Sequence, residues 1–568
     1  MGGVGVVIWK TIRDESLLLA LVVLLTSLLV SPTGNFPLND DWVYAKSVQD
    51  ILETGRYSGH PYSDALFVLQ AYWGALFCAV FGFSFTVLRI STLVTLLIAA
   101  WGASLSAKAA GIDRNKSLLL GIVFLVNPII MNLGYTFMTD VPFLALANLA
   151  LFFFIRAYLT PTVTFILAGS TLAAVAYFVR QFGLLLPVAY AASLAILLFR
   201  GKYQFNPRHL IALSAPWLIV SLILLALPDS ARGTSSQFDW NSIGHSIFER
   251  AANGIKHLTT LLIYLSVFLA PVLILFVSRN SIRSLFSSKR VFFASFAAWL
   301  FLAYFVITPS PHRLPITGNM IYDLGVGPIL LRGIVDDGVL QAPLRLGAWW
   351  WIPTILGLTG AVWLLREMIR VSISTFRKGE DEKKSNAPGA RFFLFMLSSA
   401  YIGVLFIPGL EVLYDRYFIV ALVPIGIFIL LTPSNATSRA PLYTAWCVSA
   451  LMYISSTVCL QDYMAWNRAR WAAVDILEQK YGATPEDIDG GYEFNGWLTS
   501  DQYLQNKASS AARNYGPKGG WIVRDTYAIS FRPRENFNAI DEVPYFSWLG
   551  FEERKILILE RIAEDERY

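Results

Sequence analysis

The sequence predicts an α-helical polytopic membrane protein that ends in a soluble α+β domain. Three observations predict it. The 568-residue chain is 55% hydrophobic and only 15% charged, with a mean hydropathy of +0.53, outside the range of ordinary soluble proteins. Apolar runs close to the ~20 residues that cross a bilayer as helix recur along the chain. Past residue 460 the hydropathy falls and Gly- and Pro-punctuated alternation takes over. The net charge of +6 reflects loop lysines and arginines and implies no nucleic acid partner. The aromatic content of 14% suits interfacial belts of Trp and Tyr. Cys78, Cys447 and Cys459 lie in apolar segments, giving neither a disulfide framework nor a metal-type spacing.

The first run, 16–30, lacks a small-residue cleavage site behind it and is expected to stay as a helix. Val6 stands where a myristoylation signal needs Ser or Thr. Further runs follow near 89–107, 117–134, 141–157, 163–179, 182–199, 210–227, 257–278, 291–307, 348–365, 392–409, 417–432 and 441–459, for about 13 spans. Lys and Arg collect in alternate loops: Lys10 and Arg13; Lys108, Arg114 and Lys116; Arg200, Lys202 and Arg208; Arg279, Arg283, Lys289 and Arg290; and the charged loop 366–391. By the positive-inside rule these loops and the N-terminus are cytoplasmic. The alternation requires that 65–85, which carries Gln70, Tyr72, Trp73 and Gly74, lie at the outer interface as part of one long outer loop, 35–88. The expected organisation is a transmembrane domain over 1–460 and an extracytoplasmic α+β domain over 461–568.

Several ionisable residues fall on the outer side. "NFPLNDDWVYAKSVQD" places Asp40 and Asp41 where the first helix ends, with Tyr44 on the helix that follows. "NLGYTFMTDVPFLAL" places Asp140 in a second outer loop, 133–141. An Asp just before a Pro-led helix is ordinarily a cap; two acidic sites on one membrane face point to chemistry. Arg180 interrupts the apolar "AYFVRQFGLLLP", where insertion costs about 2.5–3.5 kcal/mol at mid-membrane. Arg416 and Tyr417 open the late span in "GLEVLYDRYFIVALVP", and Arg89 opens another. These cations and the phenol suit an anionic lipid headgroup, Arg through its planar fork. His60 and Asp64 in the first loop are accessory candidates. So are His312 and Arg313 in the Gly/Pro-rich segment 308–347, which is long enough to form a flap.

With these motifs in order, the chain resembles the GT-C glycosyltransferases, in the branch of the protein O-mannosyltransferases and lipid A aminoarabinose transferases. "NDDWVYA" resembles the acid-acid motif of their first outer loop, "YTFMTDVPFLAL" their Thr-Asp-x-Pro motif, and "DRYFIVALVPIGIF" their late Arg-Tyr span. The likeness covers about 10–200 and 408–432. Two features depart from it: the first motif is Asp-Asp rather than the commoner Asp-Glu, and Arg180-Gln181 stands where many relatives have Lys-Gly.

The resemblance implies a GT-C fold and an inverting transfer of one sugar from a polyprenyl-phosphate donor to a glycan, lipid or protein acceptor at the outer face of a bacterial plasma membrane. Asp40 is then the base, Asp41 orients the acceptor or holds the loop, and Asp140 positions the acceptor or acts on Asp40. Arg416, Tyr417, Arg180 and Arg89 bind the donor phosphate. A phosphate leaving group needs no general acid, so one carboxylate suffices. No cofactor is expected, and a divalent ion at the acids is disfavoured. A lipid-linked glycan polymerase or ligase is the nearest alternative reading. A transporter would show repeats and mid-helix charges, and neither is evident in the sequence.

Overall fold

The computed structural model describes residues 2–60, 62–63, 65–226, 247–277, 289–307, 313–322, 325–331, 347–376, 388–404, 414–432, 440–503 and 521–562. Asp64, His312, the parts 308–312, 323–324 and 332–346 of the expected flap, and 377–387 of the charged loop lie outside them.

Each expected apolar run carries helix. In chain order these are α1 (Gly2–Leu29), α4 (Phe85–Ala109), α5 (Arg114–Leu125) with α6 (Pro128–Gly134), α7 (Asp140–Leu159), α8 (Val163–Tyr177), α9 (Leu185–Phe199) and α10 (Pro207–Ala226). They continue with α11 (Ile247–Phe268) and α12 (Ala270–Ile274), α13 (Lys289–Ile307), α14 (Trp351–Phe376), α15 (Pro388–Val404), α16 (Leu422–Leu430) after a 3-10 turn Asp415–Ala421, and α17 (Ala440–Tyr481). Among the described residues, seven helices are long and apolar enough to cross a membrane, or eight when the pair α5/α6, bent by 64°, is taken as one. That count falls short of 13 because several runs are short or broken. The apolar parts of α1, α8 and α15 have 10–17 residues, and α11/α12 and the turn before α16 interrupt two more. The α5/α6 bend has a local cause: Asn127 Oδ1 accepts from the Ile129 and Ile130 amides at 3.0 and 3.1 Å, and Pro128 opens the new helix.

The segment expected as the first outer loop holds α2 (Asp41–Thr54) and α3 (Val68–Phe81). With 14 residues, α3 is about 21 Å long, short of the ~30 Å hydrocarbon core. It packs against α2 and α4.

The boundary expected at 460/461 falls inside α17, which runs unbroken for 42 residues. The drop in hydropathy there marks a change of surroundings rather than a helix end. The segment after Leu460 holds four Ala and two Arg, both good helix formers, and no Gly or Pro occurs before Gly482. Beyond it, a mixed four-stranded sheet has the order β3-β4-β6-β5, formed by β3 (Ile488–Asp489), β4 (Tyr527–Ser530), β5 (Phe537–Ser547) and β6 (Glu552–Arg561), with helix α18 (Tyr492–Leu498) between β3 and β4. Asp462 on α17 pins the sheet by accepting from Ser547 Oγ at 2.6 Å, Trp548 N at 2.6 Å and Leu549 N at 3.1 Å. Arg470, also on α17, pins α18 through a fully buried ion pair with Glu493 at 2.8 Å, whose other oxygen accepts from Asn39 N at 3.2 Å.

Arg470→Met strands the buried Glu493 charge and is expected to cost about 3–5 kcal/mol, read as a lower unfolding midpoint of the detergent-solubilised protein. Arg470→Met combined with Glu493→Gln, which keeps an acceptor for Asn39, is expected to recover at least half of the loss. Equal losses in the two variants would mean that the stranded charge is not the cost.

Candidate functional site

The site is assembled where the first acidic loop, the second acidic loop and the 3-10 turn before α16 meet. The chain leaving α1 is held by Arg89, which is fully buried and donates to the carbonyls of Pro32 at 3.1 Å, Gly34 at 2.7 Å and Phe36. Asn39 then adopts a left-handed conformation (φ 57°), which Asn tolerates better than most residues. This turn starts α2 at Asp41 and presents Asp40 at its N-cap position.

Asp41 does not face the acceptor side. It is fully buried and accepts from Leu38 N at 3.2 Å and Phe137 N at 2.7 Å. Burial pushes its carboxyl up to about 8, against the pull of Arg89 and these two amides. Phe137 lies in the second acidic loop, and its carbonyl also takes Gln70 Nε2 from α3. Asp41 therefore fastens the loop of Asp40 to the loop of Asp140.

Neither Asp40 nor Asp140 acts as a cap. Asp40 occupies the N-cap position without a side-chain bond to the helix amides. Instead its Oδ1 accepts from the Tyr492 hydroxyl at 2.9 Å, and its Oδ2 lies 3.7 Å from Arg416 Nη1. Its side chain is 27% exposed, the most accessible carboxylate of the group. Asp140, first residue of α7, is buried and pairs with Arg180. Gly183 makes that placement of Arg180 possible: a Cβ there would lie 2.6 Å from the Ala173 carbonyl and 2.7 Å from the Tyr177 amide.

Arg416 is 8% exposed. Among the described residues its Nε and Nη1 make no hydrogen bond, Nη1 having only the charge contact with Asp40, and neither does the buried Asp140 Oδ2. Asp140 and Asp40 are the carboxylates whose charge acts on it. Tyr417 lies beneath both guanidinium groups, with its ring centroid 5.5 Å from Arg180 Cζ and 5.7 Å from Arg416 Cζ. Tyr44 is buried at the same cluster. Burial and Asp40 hold its phenol above the ordinary range against Arg416 and Arg180, so at neutral pH it is a hydrogen-bond donor.

The structure thus brings together Asp40, Asp140, Arg180, Arg416, Tyr417 and Tyr44. Arg89, expected at the donor phosphate, instead donates to three backbone carbonyls of the chain leaving α1. His60 is also away from the cluster: it packs edge-on against Trp42 at 5.2 Å and stacks on Tyr62 at 5.7 Å. The described part of the flap segment holds a two-residue hairpin, β1 (Ile321–Tyr322) with β2 (Gly325–Val326). Arg313 lies just before it, with Nη1 3.4 Å from the Leu314 carbonyl. Sequence reasoning missed Tyr492, which no local pattern links to Asp40. Among the described residues, no group of three His, Cys, Asp or Glu side chains has a metal-holding arrangement.

No protein-family model matches the chain, and no curated protein matches it significantly. Solved structures similar to the chain include those of two proteins. One is the oligosaccharyltransferase AglB from Archaeoglobus fulgidus in complex with an inhibitory peptide and a dolichol-phosphate (12% identity, TM-score 0.45). That match covers 87% of this chain and 59% of that one, so the chain spans well under two thirds of AglB's length. The other is ArnT from Cupriavidus metallidurans bound to undecaprenyl phosphate (13% identity, TM-score 0.39), with 96% and 97% covered.

Burial and the nearby Lys46 lower His60 to about 4, opposed by Asp501. A histidine depressed when folded is neutral there while the unfolded chain takes up a proton below ~6.5. Its contribution is full above that pH and is lost as pH falls towards 4. Unfolding free energy is expected to drop by up to ~3 kcal/mol across this window, with His60→Gln flattening that part of the profile in chemical unfolding. A profile of unchanged slope in the variant would count against a buried neutral His60.

Proposed function

We propose that the protein is an inverting glycosyltransferase that moves a single sugar from a polyprenyl-phosphate donor to an acceptor hydroxyl. The reaction takes place at the outer face of a bacterial plasma membrane, with the N-terminus cytoplasmic and the C-terminal domain on the side of the site. The observation that carries the reading is Arg416: a buried guanidinium with two unpartnered donor atoms, set 3.7 Å from a partly exposed carboxylate. Buried donors are nearly always satisfied, and the planar fork of Arg matches phosphate oxygens. The motif order described above and the alternation of basic loops support the same reading.

In this reading the donor phosphate lies against Arg416, with Arg180 and the Tyr44 and Tyr417 hydroxyls near it. Asp40 takes the proton of the acceptor hydroxyl. The acceptor oxygen bonds the anomeric carbon from the face opposite the phosphate, and the bond from that carbon to the phosphate oxygen breaks. The electron pair leaves with polyprenyl phosphate, and the anomeric centre inverts. Arg416 stabilises charge growing on the departing oxygen, the transition-state term that weighs most in such sites. Asp140 holds Arg180, and Asp41 holds the loop without touching the reactants.

The test incubates purified full-length protein with radiolabelled polyprenyl-phosphate hexoses and a membrane extract as acceptor pool. Wild type is expected to release polyprenyl phosphate and label an acceptor. Asp40→Asn is expected to bind donor but lose about 10²–10⁴ in turnover, and Arg416→Ala about 10²–10³. Near-normal turnover by Asp40→Asn would remove Asp40 as base. A wild type inert on every monophosphate donor yet active on a lipid-pyrophosphate glycan would replace this reading with a ligase.

A further inference from the structure

Tyr492 is 452 residues from Asp40 in sequence, yet its hydroxyl donates to Asp40 Oδ1 at 2.9 Å. It opens α18, the helix that Arg470 and Glu493 pin to α17. Three further contacts fix the residue. Its amide donates to the Leu330 carbonyl at 3.0 Å, and its ring packs on Trp42 with centroids 6.0 Å apart and on Trp521 at 5.2 Å. Burial, together with the Asp40 charge, holds its phenol well above the ordinary range, so the hydroxyl remains a donor and does not compete with Asp40 for the acceptor proton.

Asp40 has no other anchor of this kind. Its carboxylate leaves the α2 amides uncapped, and 3.7 Å to Arg416 Nη1 is a charge contact, too long for a hydrogen bond. With Oδ1 bound to Tyr492, Oδ2 is the carboxylate oxygen free of a hydrogen bond and the better placed to take a proton. The same bond closes a circuit of contacts. Asp415, next to Arg416, accepts from Met320 N at 3.0 and 3.2 Å and from Ile321 N at 2.7 Å. The hairpin those amides belong to leads to Leu330, Leu330 binds Tyr492, and Tyr492 binds Asp40.

We propose that Tyr492 is a positioning residue for the base, so that the C-terminal domain completes the active site and does more than sit beside it. The inference rests on Asp40 acting as base in the transfer reaction. It assigns the hydroxyl of Tyr492 the task of selecting which carboxylate oxygen faces the acceptor. A hydroxyl that served only to dock the domain would affect stability and leave the chemistry of Asp40 untouched.

Tyr492→Phe in the full-length protein separates the two, because it removes the hydroxyl and keeps the ring on Trp42 and Trp521. Expected are a kcat about 10–100-fold lower, as misplacement of a reacting group produces, a donor KM within about twofold of wild type, and an unchanged unfolding midpoint. In an Asp40→Glu background, where the longer side chain has already displaced the carboxylate from the phenol, the same substitution is expected to add less than about twofold. Wild-type kcat in Tyr492→Phe, or an equal loss in both backgrounds, overturns the inference. So does a loss that appears as raised KM with a lower midpoint. These failures are distinct from failure of the underlying reading, in which wild type shows no transfer or Asp40→Asn keeps it, and the base assignment falls together with the inference.

Discussion

The Asp41 carboxylate, taking one amide from its own loop and one from the loop of Asp140, is the contact on which the rest of the site depends. The first acidic motif and the second are about a hundred residues apart, and each alone is a short irregular stretch between helices. Buried backbone N–H groups must be paired, and a carboxylate that accepts two of them from different loops makes the loops one unit. Arg89 is near enough for its charge to act on Asp41 and at the same time satisfies three carbonyls of the incoming chain. Burying this acid is costly, and the cost is offset by the order it imposes: Asp40 and Asp140 have no freedom to drift apart.

The charges of the proposed reaction balance within that frame. Asp40 and Asp140 carry two negative charges, Arg180 and Arg416 two positive, so the cluster is formally neutral before a donor arrives. A phosphodiester brings one negative charge. On transfer the phosphate gains a second, and Asp40 loses its own by taking the acceptor proton, leaving the total unchanged. A site whose net charge is constant through the reaction needs little rearrangement of its surroundings, and that is the condition under which fixed dipoles and guanidinium groups stabilise a transition state best. The buried Arg416 with unpartnered donors is costly in the free protein, and a phosphate oxygen would relieve that cost.

Much of the scaffold was legible in the sequence, because apolar runs long enough to form helices in lipid leave an unmistakable pattern. Asp40, Asp140, Arg180, Arg416 and Tyr417 were legible for a related reason: an ionisable residue beside an apolar run is conspicuous. The neighbours of Arg89 in sequence say nothing of the carbonyls it binds in the loop preceding α2. His60 is an accessory candidate in the sequence, and the structure packs it against Trp42 and Tyr62. The division at residue 460 followed polarity, whereas a helix ends only where its residues or caps end it, and a run with four Ala and no Gly or Pro carried α17 past the change. Tyr492 lay beyond reach altogether. Its function depends on a contact across most of the chain, and no periodicity or spacing encodes that.

The continuity of α17 is what makes a contact of such range credible. A hydroxyl that orients a carboxylate must be held to a fraction of an ångström, which a domain on a flexible tether does not achieve. Here a single helix leaves the apolar region and carries attachments of the C-terminal domain at Asp462, to the turn after β5, and at Arg470, to the helix that bears Tyr492. Glu493, adjacent to Tyr492, also takes the Asn39 amide one residue before Asp40. Backbone and side chain therefore meet the acidic loop at neighbouring points. Two contacts to consecutive residues, on a helix itself fixed by a buried ion pair, remove the rotational freedom that one contact would leave. The domain's sheet then serves as the support of a single side chain as much as a fold of its own, and a disturbance far out on the sheet has a rigid route back to Asp40.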